Sequence, residues 1–251
     1  MTFIEKCKIL ASNWCFVTLM AAGFFRFFGG YSLGFLSAEF FEHRYPDQTS
    51  LYSVMNAVIV IGGGLPASML GGYLSDKLES RIGSIKGLIA GVGALVAIPF
   101  IIIAYWCQFS FWSSILSYYV AYFVAEMWYG PSHAQINNMF PSEFQGFSVA
   151  VFNFFGSLAG TIATLTLGAI KDRVDGGEGA DPVEKARIDG YVLCGGVLFS
   201  YILCGPLFII SGISYSKQLQ KLKTQISASV LANEGKDGDY MEVEPNVATK
   251  E

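Results

Sequence analysis

Charge is what this sequence has least of. Only 14% of its 251 residues are charged, and it contains two histidines. Soluble domains carry about 25% charged residues, and half that leaves too little polar surface to clothe a water-soluble globule. There is no basic excess either, with 16 Lys and Arg against 20 Asp and Glu, so the electrostatic footprint of a nucleic-acid binder is missing. Five cysteines is an odd count. Cys15, Cys107, Cys194 and Cys204 lie in or beside apolar runs, which argues against a secreted disulfide scaffold. Two distant histidines offer no zinc set. The segment GGYLSDK lacks the G-K-[ST] ending of a phosphate-cradling loop, and no serine stands in a recognisable nucleophile motif. Neither an enzyme, a cofactor nor a metal site is expected.

The chain is instead rich in apolar residues. Hydrophobic side chains make up 53%, aromatics 15%, and the mean hydropathy is +0.46. That excludes disorder for most of the chain and points to a polytopic membrane protein. Crossing roughly 30 Å of hydrocarbon takes about 20 mainly apolar residues. Six segments qualify: 14–36, 53–74, 87–106, 111–132, 148–170 and 191–213. Runs of this kind are helices, because lipid-exposed backbone must satisfy its own hydrogen bonds, and the alternating segments of a β-barrel are absent. The fold class is an all-α membrane protein with six transmembrane helices. The first run follows Glu5, Lys6 and Lys8 as a signal peptide would. It is too long for one, carries Arg26 and lacks a cleavage pattern, so it reads as a mature helix.

Six crossings put both ends of the chain on one side. That side holds Lys6, Lys8, Lys77, Arg81, Lys86, Lys217, Lys221, Lys223, Lys236 and Lys250. The other holds Arg44, Lys171, Arg173, Lys185 and Arg187. The bias places both termini in the cytoplasm. The expected organisation is a cytoplasmic N-terminal segment (1–13), a transmembrane domain (14–213) and an acidic cytoplasmic tail (214–251), disordered above all from Glu234. Lys217, Lys221 and Lys223 suit anionic head groups at the membrane surface. The longest loop, 171–190, contains GGEGADP, a flexible stretch. Trp14, Trp106, Trp112 and Trp128 include three near span ends, as interface anchors should be.

Most of the 28 glycines lie inside spans. Gly30 and Gly34, Gly87 and Gly91, and Gly156 and Gly160 are four apart, and Gly64, Ser68 and Gly72 form one stripe. Such stripes let helix backbones approach closely in lipid. Pro66, Pro99, Pro131 and Pro206 fall in or at the ends of spans, where they kink the helix axis or serve as bending points.

Ionisable residues inside spans are functional candidates, because a charge at the bilayer centre is expensive. Arg26 lies in FFRFFGG near the middle of span one, and Glu126 in span four. At 1.5 Å per residue they sit about 18 Å and about 9–12 Å from the inner ends of their spans, close enough for long side chains to bridge. Both should face the bundle interior and pair or share a polar cavity. Arg26 then holds an anionic substrate group and Glu126 is a coupling carboxylate, or the two form a structural ion pair. Asn56, Asn153, Tyr31 and Tyr118 line a cavity or act as interhelical glue. His133, Gln135, Asn137 and Asn138 cluster at the inner end of span four and suit interfacial hydrogen bonding. Glu39 is expected to be solvated at the outer interface.

The segment GGYLSDKLESR (71–81) ends the second span with small residues, then an aspartate among basic groups. It resembles the loop motif of the major facilitator superfamily, G-x-L-a-D-[RK]-x-G-[RK]-[RK]. Gly72, Leu74, Asp76, Lys77 and Arg81 match in order. Glu79 replaces the usual glycine and Ser80 a usual basic residue. The resemblance implies a cytoplasmic gating latch and a six-helix unit equal to one half of a twelve-helix bundle. The short lead before span one and the long polar tail suit the carboxyl-terminal half. EMWYGPSHAQINNMFPSEFQGFSVAVFNFFGSLAG (126–160) and LGAIKD (167–172) resemble spinster-like members.

The resemblance implies transport of a small or amphipathic, lipid-like solute by alternating access, with the bilayer and a second six-helix half as partners. The second half is supplied by the same chain, a second copy or another subunit. The alternative is a structural or scaffolding subunit derived from a half-transporter.

Overall fold

The computed structural model describes residues 2–174 and 181–239; the Gly-rich stretch 175–180 of the expected flexible loop, and residues 240–251, lie outside it. The described residues form helices without a strand. Nine α-helices follow in order: α1 (Phe3–Ser12), α2 (Trp14–Arg44), α3 (Thr49–Val58), α4 (Leu65–Glu79), α5 (Ile85–Ile101), α6 (Phe111–Glu126), α7 (Tyr129–Met139), α8 (Ser142–Val174) and α9 (Pro182–Asp239). A π-helical turn, Ile59–Gly64, joins α3 to α4, and another, Ile102–Cys107, extends α5.

The helix starts are written in local chemistry. Thr2 and Glu5 close a capping box on α1. The Asn13 carboxamide oxygen accepts from the amides of Cys15 and Phe16, starting α2 at Trp14. These caps satisfy amide donors that the first turn of a helix leaves without partners. Gln108, in the left-handed region at φ 49°, ends the extension of α5, and its side chain donates back to the Tyr105 carbonyl at 3.0 Å.

Five crossings are unbroken and apolar enough to span a bilayer: Trp14–Arg44, Pro46–Glu79, Ile85–Cys107, Ser142–Val174 and Val183–Gln225. They run several residues past the expected bounds, because helices continue into the head-group layer where hydropathy no longer marks them. The fourth crossing departs from expectation. Residues 111–132 are not one helix but the 16-residue α6 and the 11-residue α7, interrupted at Met127 and Trp128. Pro131 supplies no N–H to the carbonyl four residues earlier, which belongs to Met127. That carbonyl is packed against Gly71 of α4, where a Cβ would collide with it. Pro66 stands just after the first π-helical turn, whereas Pro99 and Pro206 lie inside continuous helices.

The last helix runs on past the expected end of the last span. It does not end at Ile213, and residues 214–239, expected as part of a disordered tail, continue α9. The segment 1–13 is likewise mostly helical, with Leu10 buried against the bundle.

Glycine governs the packing. Gly87 and Gly91 of α5 meet Gly212 and the carbonyls of Phe208 and Gly205 on α9. Gly72 and Gly130 bring α4 and α7 together, while Gly156 and Gly160 of α8 receive the rings of Phe27 and Tyr31. Gly30 meets only its own helix's Arg26, and Gly34 meets nothing among the described residues. Near Arg44 the core is aromatic, with Phe41 stacked on Tyr52 at 4.4 Å and Tyr105 donating to or accepting from Ser37 at 2.8 Å. The α3–α4 and α8 crossings are the least buried. They present Val58, Ile61, Leu65 and Met69 on one side and Phe154, Leu158 and Leu165 on the other.

Candidate functional site: an arginine at a helix break

Arg26 projects from the middle of α2 to the place where α6 stops. Its Nη2 donates to Glu126 Oε1 at 2.8 Å and to the Ala125 carbonyl at 3.1 Å, and Nε reaches the same carbonyl at 3.4 Å. The guanidinium also lies over the rings of Trp128, at 5.4 Å, and Tyr201, at 5.1 Å. It therefore caps the end of α6 with a full positive charge, where the helix macrodipole is negative, and is held between two π faces. The pair is asymmetric: the Arg26 side chain is 2% exposed and that of Glu126 21%. The carboxylate is the half that solvent or a ligand reaches. Of the four tryptophans, Trp14, Trp106 and Trp112 are exposed, and Trp128 is buried beside the guanidinium.

A second charged cluster lies at the end of the bundle that carries the 71–81 segment. Asp76, the expected centre of the latch, is 69% exposed and stands 3.7 Å from Lys86. The closer partner of Lys86 is Glu79, the residue that replaces the motif's glycine, and the Lys86 side chain is fully buried. The other oxygen of Glu79 accepts from the Tyr215 hydroxyl at 2.8 Å, which in turn accepts from Asn138 at 3.0 Å. One carboxylate thus joins α4, α5, α7 and α9. Leu74 is half-buried, Lys77 is exposed with its ammonium 5.6 Å from the Tyr73 ring, and Arg81 is exposed. Nearby, Gln135 donates to Ser211 at 2.8 Å, linking α7 to α9.

At the opposite end, Lys171 of α8 lies 2.7 Å from Glu39 of α2 and 3.1 Å from the buried Asp189 of α9. The other Asp189 oxygen lies 2.7 Å from His43 Nδ1. Glu39 is therefore ion-paired, not merely solvated as expected. Sequence reading missed this cluster because it assigned 171–190 to a loop. In fact Lys171 and Asp189 sit on helix turns that face α2. It missed the Glu79–Lys86 pair because it counted Lys86 among the loop charges.

The neutral candidates are dispersed. Asn56 on α3 and Asn153 on α8 are half-buried, on the two least covered crossings. Tyr31 is exposed, and Tyr118 is buried in the aromatic core. Among the described residues no group of His, Cys, Asp and Glu is arranged to hold a metal.

The fold is similar to that of two solved structures. Both are of a bacterial homolog to the human lysosomal transporter Spinster. The inward-facing, unoccupied conformation aligns over 86% of this chain and 51% of its own, with a TM-score of 0.69 at 18% identity. The chain shares its fold with about half of that structure. The inward-facing, occupied conformation aligns over 83% of this chain and 50% of its own, with a TM-score of 0.53 at 19% identity. No family model and no curated protein matches the sequence. The chain spans about half the length of the spinster-type structures, whose remainder has no counterpart in it. Its described residues are all-α, with five helices long and apolar enough to cross a membrane, as in an integral membrane protein.

Proposed function

We propose that this chain forms one half, the carboxyl-terminal one, of a secondary transporter moving a small or amphipathic, lipid-like solute by alternating access. The observation that carries the reading is its spinster-type half-bundle fold. The Arg26–Glu126 pair supplies the chemistry. While Glu126 is ionised it occupies Arg26. Once Glu126 takes a proton the guanidinium loses its counter-charge, and an anionic group of the substrate replaces it. Arg26 is then the substrate-holding cation and Glu126 the coupling carboxylate, with Asn56 and Asn153 on the flanks that face a second six-helix half. Gly72, Leu74, Asp76, Lys77 and Arg81 form the gate at the cytoplasmic end, where both termini lie.

A structural, non-transporting subunit is the second reading. It is favoured by one observation: Arg26 is buried and already fastened to the end of α6. Two measurements separate the readings. The first is the mass of the native polypeptide: a chain near twice 27.3 kDa carries its own second half, and a chain of that mass must copurify with one. The second is flux through liposomes reconstituted with the native assembly. Transport requires that Glu126→Gln and Arg26→Gln abolish flux in protein that still folds. An assembly of undiminished flux, or a lone chain with neither partner nor flux, sinks the proposal.

A further inference from the structure

A groove of about 600 Å³ opens between the start of α2 and the far part of α9. Its walls include Asn13, Trp14, Ser214, Lys217, Gln218 and Lys221. Lys217 and Lys221 are one helical turn apart, so both ammonium groups stand on the same face of α9. No carboxylate lines the groove, and among the described residues neither lysine has an ion-pair partner. The buried lysines Lys86 and Lys171 are each matched by two acids, whereas Lys217 and Lys221 are exposed and unmatched among the described residues. The cationic charge of this groove is left for something outside the protein.

The position of the groove in the bilayer says what that is. Trp14 opens the first crossing, is 67% exposed, and belongs at the head-group level as an indole does. Lys217 follows the last apolar stretch of α9 by a single turn, so the groove lies at the level where lipid phosphates are. The amide and hydroxyl groups of Gln218 and Ser214 add donors for phosphate or glycerol oxygens. Basic pockets between crossings bind anionic head groups of this kind.

We propose that this groove is a binding site for an anionic phospholipid, whose phosphate sits between Lys217 and Lys221 with its glycerol region against Trp14. The site is separate from the Arg26–Glu126 centre and does not depend on the transport reading.

Native mass spectrometry of the full chain, released from nanodiscs of phosphatidylcholine containing phosphatidylglycerol, tests it. The wild type should retain one phosphatidylglycerol in preference to phosphatidylcholine, and Lys217→Gln/Lys221→Gln should lower that retention about tenfold. Both side chains are exposed, so the fold should survive, which circular dichroism checks. Lys185→Gln/Arg187→Gln, at the other end of α9, should leave retention unchanged. Equal retention of both lipids, equal loss in the control variant, or no loss in the Lys217/Lys221 variant overturns the proposal. Displacement of phosphatidylglycerol by millimolar inorganic phosphate also overturns it, assigning the groove to the free ion instead of the lipid.

Discussion

Glu79 has taken the buried partner that the position of Asp76 would suggest for Asp76. The fully buried Lys86 ammonium is paired with Glu79, and Asp76 stands farther off and mostly in solvent. The acid that departs from the loop motif is therefore the one that fastens α4 to α5 and, through Tyr215, to α9.

This gives the first prediction. Glu79→Gly restores the usual motif residue but strands a buried charge, a loss of the kind that costs about 3–5 kcal/mol. Asp76→Asn removes a solvent-screened surface contact worth about 0–1 kcal/mol. Thermal unfolding in detergent should show a large fall in midpoint for the first and almost none for the second. The reverse order would mean that Lys86 turns to Asp76 in solution.

Arg26 and Glu126 are expected to be non-additive. Glu126→Leu leaves the 2%-exposed guanidinium with only a carbonyl and two rings, whereas Glu126→Gln keeps an oxygen that accepts its hydrogen bond. The stability order is wild type, then Gln, then Leu. Arg26→Leu/Glu126→Leu should recover part of the single-variant loss, with an interaction of about 1–3 kcal/mol in a double-mutant cycle. Strict additivity would show that the pair is not formed.

The break in the fourth crossing traces to Pro131. Pro131→Ala returns an N–H to the turn, but the Met127 carbonyl is engaged in close packing with Gly71. Hydrogen exchange at residue 131 should show whether α6 and α7 fuse. If they do, the end of α6 no longer presents its carbonyls to Arg26, and flux in the native assembly should fall with fold stability preserved or raised.

Two glycines on different faces should respond oppositely. Gly91→Leu drives a side chain into the Gly205 carbonyl and Ile209 of α9, so the bundle should lose about 1–3 kcal/mol or more from overpacking. A Cβ at Gly34 meets no atom among the described residues, and unfolding of the isolated Gly34→Leu chain should stay within about 0.5 kcal/mol of wild type. If Gly34→Leu instead weakens association with the second half, its face is part of that contact.

At the far end, Asp189 holds Lys171 and His43 at once. Asp189→Asn should loosen α8 and α9 from α2 together, raising proteolytic cleavage between them. Glu39→Gln removes the more exposed of the two acids on Lys171 and should have the smaller effect.

Much of the architecture was legible in the order of residues alone. Six apolar stretches specify six helical crossings, because hydrocarbon offers the backbone no other hydrogen-bond partner. The Gly87–Gly91 spacing marked a face where the α5 and α9 backbones touch, since only small residues allow that, and the Gly156–Gly160 spacing one that receives the rings of Phe27 and Tyr31. Arg26 and Glu126 stood out because an unpaired charge in that environment is costly. What sequence could not decide was relative rotation. Whether Lys86 meets Asp76 or Glu79 depends on which turn of α4 faces α5. Whether Lys171 and Asp189 belong to a loop or to a four-residue ion cluster depends on how far α8 and α9 extend beyond the lipid. The end of α6 at Glu126 likewise needed both Pro131 and Gly71 in place: the proline frees a carbonyl, but only a glycine on a neighbouring helix makes room for it.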